Sequence, residues 1–104
     1  MPQFVYRLRP VRSGMLSAGP TADEERIIGE HFAYLQDLTA RGIVKLAGRT
    51  LTTGPETFGI CILEAVDEAA AQAIMAADPV LGHGVMTAEL FPFRIALWGS
   101  APDG

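Results

Sequence analysis

The chain has 104 residues, is 49% hydrophobic and 19% charged, and carries a formal net charge of −4. That length suits one domain and that apolar content excludes a disordered chain. The acidic balance argues against a general nucleic-acid binder, which would need a basic stripe.

Taken in chain order, Phe4 to Leu8 alternates, with Phe4, Tyr6 and Leu8 on one face and Val5, Arg7 and Arg9 on the other. This is a strand, ended by Pro10. Residues 10–20 are rich in Pro, Gly and Ser around Met15 and Leu16. They read as a long loop inserted in the domain, of the kind that often serves as a lid or binding loop. Thr21-Ala22-Asp23-Glu24 is a capping box, and Ile27, Ile28, Phe32, Leu35 and Leu38 then recur at a helical period until Gly42 stops the helix. Ile43 to Leu46 is a short apolar run, and Thr53-Gly54-Pro55 marks a turn.

Phe58 to Val66 is the strongest strand, with Phe58, Ile60 and Ile62 pointing one way and Cys61, Leu63 and Ala65 the other. Asp67 caps a second, alanine-rich helix that runs to Ala77. Pro79 prevents its clean continuation and pushes Asp78 out of the helical region. Residues 80–84 read as a loop. Val85 to Trp98 reads as a final extended segment in which Pro92 marks an edge position or a bulge. The domain is expected to occupy residues 1–99, with 100–104 a frayed tail.

The order is therefore β-α-β-β-α-β. Two right-handed β-α-β units give an antiparallel sheet with both helices on one face, a ferredoxin-like α+β sandwich. Both faces of strand 58–66 are apolar, and the helices cover only one. A second copy of the same sheet is the natural cover for the other, so a homodimer is expected.

Cys61, the single cysteine, lies between Ile60 and Ile62 and reads as a buried, inert thiol. A lone cysteine, an N-terminus without a signal-peptide pattern and the lack of a membrane-length apolar run together point to a cytoplasmic protein with no membrane partner.

Two polar residues stand inside apolar surroundings: His31 in Ile27-Ile28-Gly29-Glu30-His31-Phe32-Ala33-Tyr34-Leu35, and Asp78 in Met75-Ala76-Ala77-Asp78-Pro79. Imidazole and carboxylate are the groups that move protons near neutral pH. His31 flanks the buried helical stripe, four residues from both Ile27 and Leu35. It reads either as a half-buried histidine bonded to backbone or as a general acid or base. Asp78 reads as a chain-turning residue before Pro79, as the group that orients His31, or as both. Arg7 and Arg49 are candidate holders of an anionic oxygen, and His83, between Gly82 and Gly84, is a further candidate substrate contact. His31, Asp78 and His83 have no metal-ligand spacing, so no metal is expected. Neither a phosphate loop nor a nucleophile elbow is present.

His31-Phe32-Ala33-Tyr34-Leu35 with Leu38 and Gly42, Ala47-Gly48, Gly59 to Ala65, Glu68 to Ala71, Ala77-Asp78-Pro79, Gly84 and Phe91-Pro92-Phe93 follow one another in a recognisable order. As a set, from about residue 28 to 94, they resemble the YCII-related (YciI-like) family of the dimeric α+β barrel group. The resemblance implies a ferredoxin-like protomer, a dimer, and a cleft holding the helix histidine and the aspartate of the Ala-Asp-Pro segment. Some members of that group are dehydrochlorinases or related lyases; muconolactone isomerases and small cofactor-free monooxygenases share the wider fold. The 10–20 segment, and Arg49 where many members have proline, depart from the family pattern.

The resulting expectation is a small homodimer that transfers a proton, without a cofactor, on a small anionic organic molecule. In this reading His31 and Asp78 are catalytic and Arg7, Arg49 and His83 contact the substrate. The alternative is a non-catalytic module that binds a metabolite or a protein through the same cleft.

Overall fold

Strand β1 (Gln3–Pro10) keeps the alternation of its sequence, with Phe4, Tyr6 and Leu8 buried. It lies at the centre of the sheet in the computed structural model, which describes residues 1–99. The expected tail, 100–104, lies outside the described residues. After β1 come α1 (Gly14–Ser17), α2 (Ala22–Ala40), β2 (Val44–Arg49), β3 (Gly59–Glu64), α3 (Glu68–Ala76), α4 (Pro79–Gly82) and β4 (Met86–Phe93). The sheet order is β2-β3-β1-β4 and every neighbouring pair is antiparallel. This is the α+β, ferredoxin-like arrangement that the element order predicts.

The capping box of α2 forms as its sequence requires. Glu24 N–H donates to Thr21 Oγ1 at 3.1 Å and Thr21 N–H donates back to Glu24 Oε1 at 2.8 Å. The helix ends before Gly42, whose φ of 76° is a conformation that a side chain would strain. Asp67 caps α3 by accepting from Ala70 N–H at 2.8 Å. On one sheet face, Phe4, Tyr6, Leu8, Val44, Cys61 and Leu63 form a core with Ile27, Leu35 and Leu38 of α2, Ala71 and Met75 of α3, and Val80 of α4. Pro92 sits in β4, an outer strand of the sheet, where its missing N–H is tolerated.

Three local expectations change. The 10–20 segment is not loop throughout: Gly14–Ser17 makes one helical turn and Met15 is buried in the core. Burying that side chain favours a compact turn over an extended loop. Residues 79–82 are also a helical turn rather than a loop, because Pro79 is preset for a first helical position and Asp78 caps the turn. The final extended segment stops as a strand at Phe93, and residues 94–99 have no regular structure.

The other sheet face carries Val5, Arg7, Leu46, Ile62, Phe91 and Phe93. Ile62 is buried there but stands apart from the helix-side core, whereas Leu46, Phe91 and Phe93 are exposed. No helix among the described residues is long and apolar enough to cross a membrane.

Candidate active site

Asp78 occupies the corner between α3 and α4, and the local sequence explains why. Its own N–H closes α3 onto Met75 O at 3.1 Å, while Pro79 forces its backbone into the extended region that an N-cap needs. Its carboxylate then accepts from Val80 N–H at 3.2 Å. The turn-forming role foreseen for Asp78 is therefore real, and it leaves acceptor capacity unused.

His31 takes up that capacity. Packing of α4 on α2 brings its Nδ1 to 2.7 Å from Asp78 Oδ1 and 2.8 Å from Oδ2. Asp78 is fully buried, whereas the His31 side chain keeps 15% of its surface open. The hydrogen-bond pattern assigns the tautomer: Nδ1 carries the proton that the carboxylate accepts, so a neutral ring presents its lone pair at Nε2.

Tyr6 completes the carboxylate's surroundings. Its hydroxyl donates to Asp78 Oδ2 at 2.8 Å, and both groups are fully buried. Burial, reinforced by the Cys61 thiol and the Asp78 carboxylate, drives the phenol well above its ordinary value, so it stays protonated and donates. Sequence reasoning placed Tyr6 only on the apolar face of β1. The signal it passed over was the hydroxyl, since a tyrosine buried in a strand needs a polar partner. Cys61 lies opposite Tyr6 across the β1–β3 pair, and burial pushes its thiol up to about 11. That is the inert thiol its neighbours foretold. Tyr34 ties the scaffold together by donating to Ile74 O at 2.7 Å, which joins α2 to α3.

His31 borders a cavity of about 340 Å³. Its apolar walls include Leu8, Leu16, Ile28, Phe32, Phe58 and Met86, and its polar groups are His31, Gln36, Arg49 and Thr57. Mostly apolar walls with a few convergent polar groups are the usual make-up of a small-molecule site. The turn beyond β2 is braced by hydroxyls: Thr50 and Thr52 lie 2.7 Å apart, as do Thr52 and Thr57. These bonds steady the wall that carries Arg49 and Phe58.

The remaining candidates divide. Arg49 lines the cavity, and the only hydrogen bond of its side chain among the described residues is a long one to Thr50 O at 3.3 Å. Arg7 does not reach the cavity. Strand alternation turns it to the opposite sheet face, where it pairs with Glu89 at 2.7 Å and lies 5.9 Å from the Phe91 ring centroid. His83 is exposed in a separate groove beside Arg12, Asp23 and Glu24, because the α4 turn carries it away from His31. Among the described residues no cluster of His, Cys, Asp and Glu is placed to hold a metal ion.

The model of the YCII-related domain matches residues 8–94. The chain belongs to the YCII-related family. The match spans the cavity walls from Leu8 to Met86 and includes both His31 and Asp78. Comparison with curated proteins finds no match. Among solved structures, this YCII-related chain is similar to 5-chloro-2-hydroxyhydroquinone dehydrochlorinase from Burkholderia phenoliruptrix in complex with 2,5-dihydroxybenzoquinone. The identity is 23% and the TM-score 0.64, over 90% of this chain and 94% of that one. At that identity the likeness establishes a shared fold.

Proposed function

We propose that this YCII-related protein is a small proton-transfer enzyme acting on a small anionic or enol-bearing organic molecule. The observation that carries the reading is the His31–Asp78 pair: a fully buried carboxylate engages Nδ1 of an imidazole that borders an apolar cavity. A ring held in this way has a fixed orientation and tautomer, with Nε2 left to take a proton. Asp78 stabilises the imidazolium that forms. Arg49 is the cation placed to hold an anionic oxygen of the substrate. Arg7 and His83 have no part in this site.

The chemistry is redox-neutral. When Nε2 removes a proton from carbon or a hydroxyl, the electron pair stays on the substrate. The pair then expels a leaving group such as chloride, or the proton returns at another carbon. The first outcome is a lyase or dehydrohalogenase reaction, the second an isomerase reaction, and neither calls for a cofactor. The ligand of the similar dehydrochlorinase structure, a dihydroxyquinone, is a molecule of the size and polarity that this cavity suits.

The working unit is a homodimer in a reducing cytoplasm. Support comes from the open sheet face, where Leu46, Phe91 and Phe93 are exposed side by side with Val5 and Ile62. Arg7 Nε is buried on that face with no hydrogen-bond partner among the described residues, and an acceptor on a second copy would satisfy it.

The test uses two probes: 2,5-dihydroxybenzoquinone for binding and 5-chloro-2-hydroxyhydroquinone for turnover. The wild type should bind the first and release chloride from the second. His31→Ala should lose chloride release and Arg49→Ala should lose affinity. Binding without proton transfer to either probe would instead identify a metabolite-binding module. No binding of either probe would remove the proposed substrate class.

A further inference from the structure

We propose that Tyr6, on the central strand and outside the cavity, is a positioning residue that sets how strongly Asp78 holds His31. The inference rests on reading His31 as the proton-transfer group. Tyr6 does not line the cavity, so it acts only through Asp78.

The geometry is a relay of donors converging on one carboxylate. Oδ2 accepts from the Tyr6 hydroxyl at 2.8 Å, Oδ1 accepts from Val80 N–H at 3.2 Å, and His31 Nδ1 lies within 2.8 Å of both oxygens. With one fixed donor on each oxygen, the carboxylate cannot rotate about its Cβ–Cγ bond without breaking a buried bond. Its plane is therefore held towards the imidazole edge. Each donor also draws charge from the carboxylate, and in a buried setting such bonds are coupled. What Tyr6 takes from Asp78 is acceptor strength that His31 does not receive. Tyr6 thus keeps the His31–Asp78 bond short of its full strength.

The other groups facing this cluster do not duplicate the role. Cys61 opposes Tyr6 on β3, but its thiol has no bond to the carboxylate. Tyr34, on the same helix as His31, spends its hydroxyl on Ile74 O. Arg49 stands on the cavity wall and makes no ion pair with Asp78. A tyrosine needed only for packing would be equally well served by phenylalanine.

The experiment reads the low-field Nδ1 proton of His31 by NMR in the free protein, with the ring nitrogens labelled. Tyr6→Phe removes the competing donor and keeps the ring, so the resonance should move further downfield and the Nδ1–H tautomer should persist. The reciprocal change is 3-fluorotyrosine at Tyr6 in a Tyr34→Phe background. Its more acidic phenol is a stronger donor, so the resonance should move upfield from that of Tyr34→Phe alone. The fluorinated variant keeps the hydroxyl and decides the matter if Tyr6→Phe does not fold. Asp78→Asn, which should lose the resonance, confirms its assignment.

Opposite displacements in the two variants support the proposal. A resonance that coincides with its reference in either folded variant overturns it, whatever happens to the melting temperature. Because the signal is read without substrate, displacement without turnover counts against the catalytic reading alone. Turnover without displacement counts against this inference alone.

Discussion

Asp78 shows how one side chain serves structure and chemistry together. The same carboxylate caps α4, receives Tyr6 and holds His31, so removing its charge has separable effects. Asp78→Asn should retain the fold at a cost of about 1–3 kcal/mol, the usual penalty for a buried donor left unpaired. Chloride release from 5-chloro-2-hydroxyhydroquinone should fall on the order of 10²–10⁴-fold, the range for loss of an oriented general base. His31→Ala should lose a similar factor while its Tm changes less, because the ring is partly open to the cavity. The double variant should be little worse than either single one, since the two residues act as a unit. Steady-state rates and thermal melts of the three variants check this. Additive losses would mean that the pair does not act together.

At the scale of elements, the short helix α1 forms one wall of the site. Its Leu16 lines the cavity and its Met15 is anchored in the core. Arg12, just before it, grips both oxygens of Glu24 and also Gly19 O at 3.3 Å. If α1 closes on a ligand, its amides should gain hydrogen-exchange protection when 2,5-dihydroxybenzoquinone binds. Equal exchange with and without the probe would make α1 a fixed wall. The Arg12 clamp has a definite pH range. Arg12, helped by the Thr21 N–H, holds the Glu24 carboxyl down at about 2. A carboxyl depressed on folding contributes stability above its ordinary value, and that contribution is lost as pH falls through the folded value. Protection of residues 12–18 should therefore persist at pH 4 and fall away towards pH 2. In Glu24→Gln it should already be reduced at neutral pH.

The whole molecule presents a sheet with one face packed under helices and the other open. If a second copy covers the open face, the protein should sediment as a dimer at micromolar concentration. Phe93→Asp then discriminates. Phe93 is 42% exposed in the single chain, so a charge there should barely alter a monomer's stability. Covered by a partner, the same charge would be buried unpaired at a cost of several kcal/mol, and the dimer should dissociate. A wild type that sediments as a monomer would end the dimer proposal.

Local chemistry in the sequence determined the four strands, the two longer helices and which residues share a face, but not the helical turns at Gly14–Ser17 and Pro79–Gly82. Alternation in Phe4–Leu8 and Phe58–Val66, the Thr21–Glu24 box and the Asp67 cap depend on neighbours only a few residues away, so they were legible without a fold. The polarity of His31 and Asp78 against their apolar surroundings marked them as residues needing partners. Which partners they found was decided by tertiary structure, because the bond joining them spans 47 positions and the Tyr6–Asp78 bond spans 72. Such bonds exist only once β1, α2 and α4 have packed. For the same reason the sequence did not settle whether Arg7, Arg49 and His83 face the cleft. Alternation already put Arg7 opposite Tyr6, but only the assembled sheet decided which face carries the cavity, only the end of β2 brought Arg49 to its wall, and only the α4 turn carried His83 into another groove.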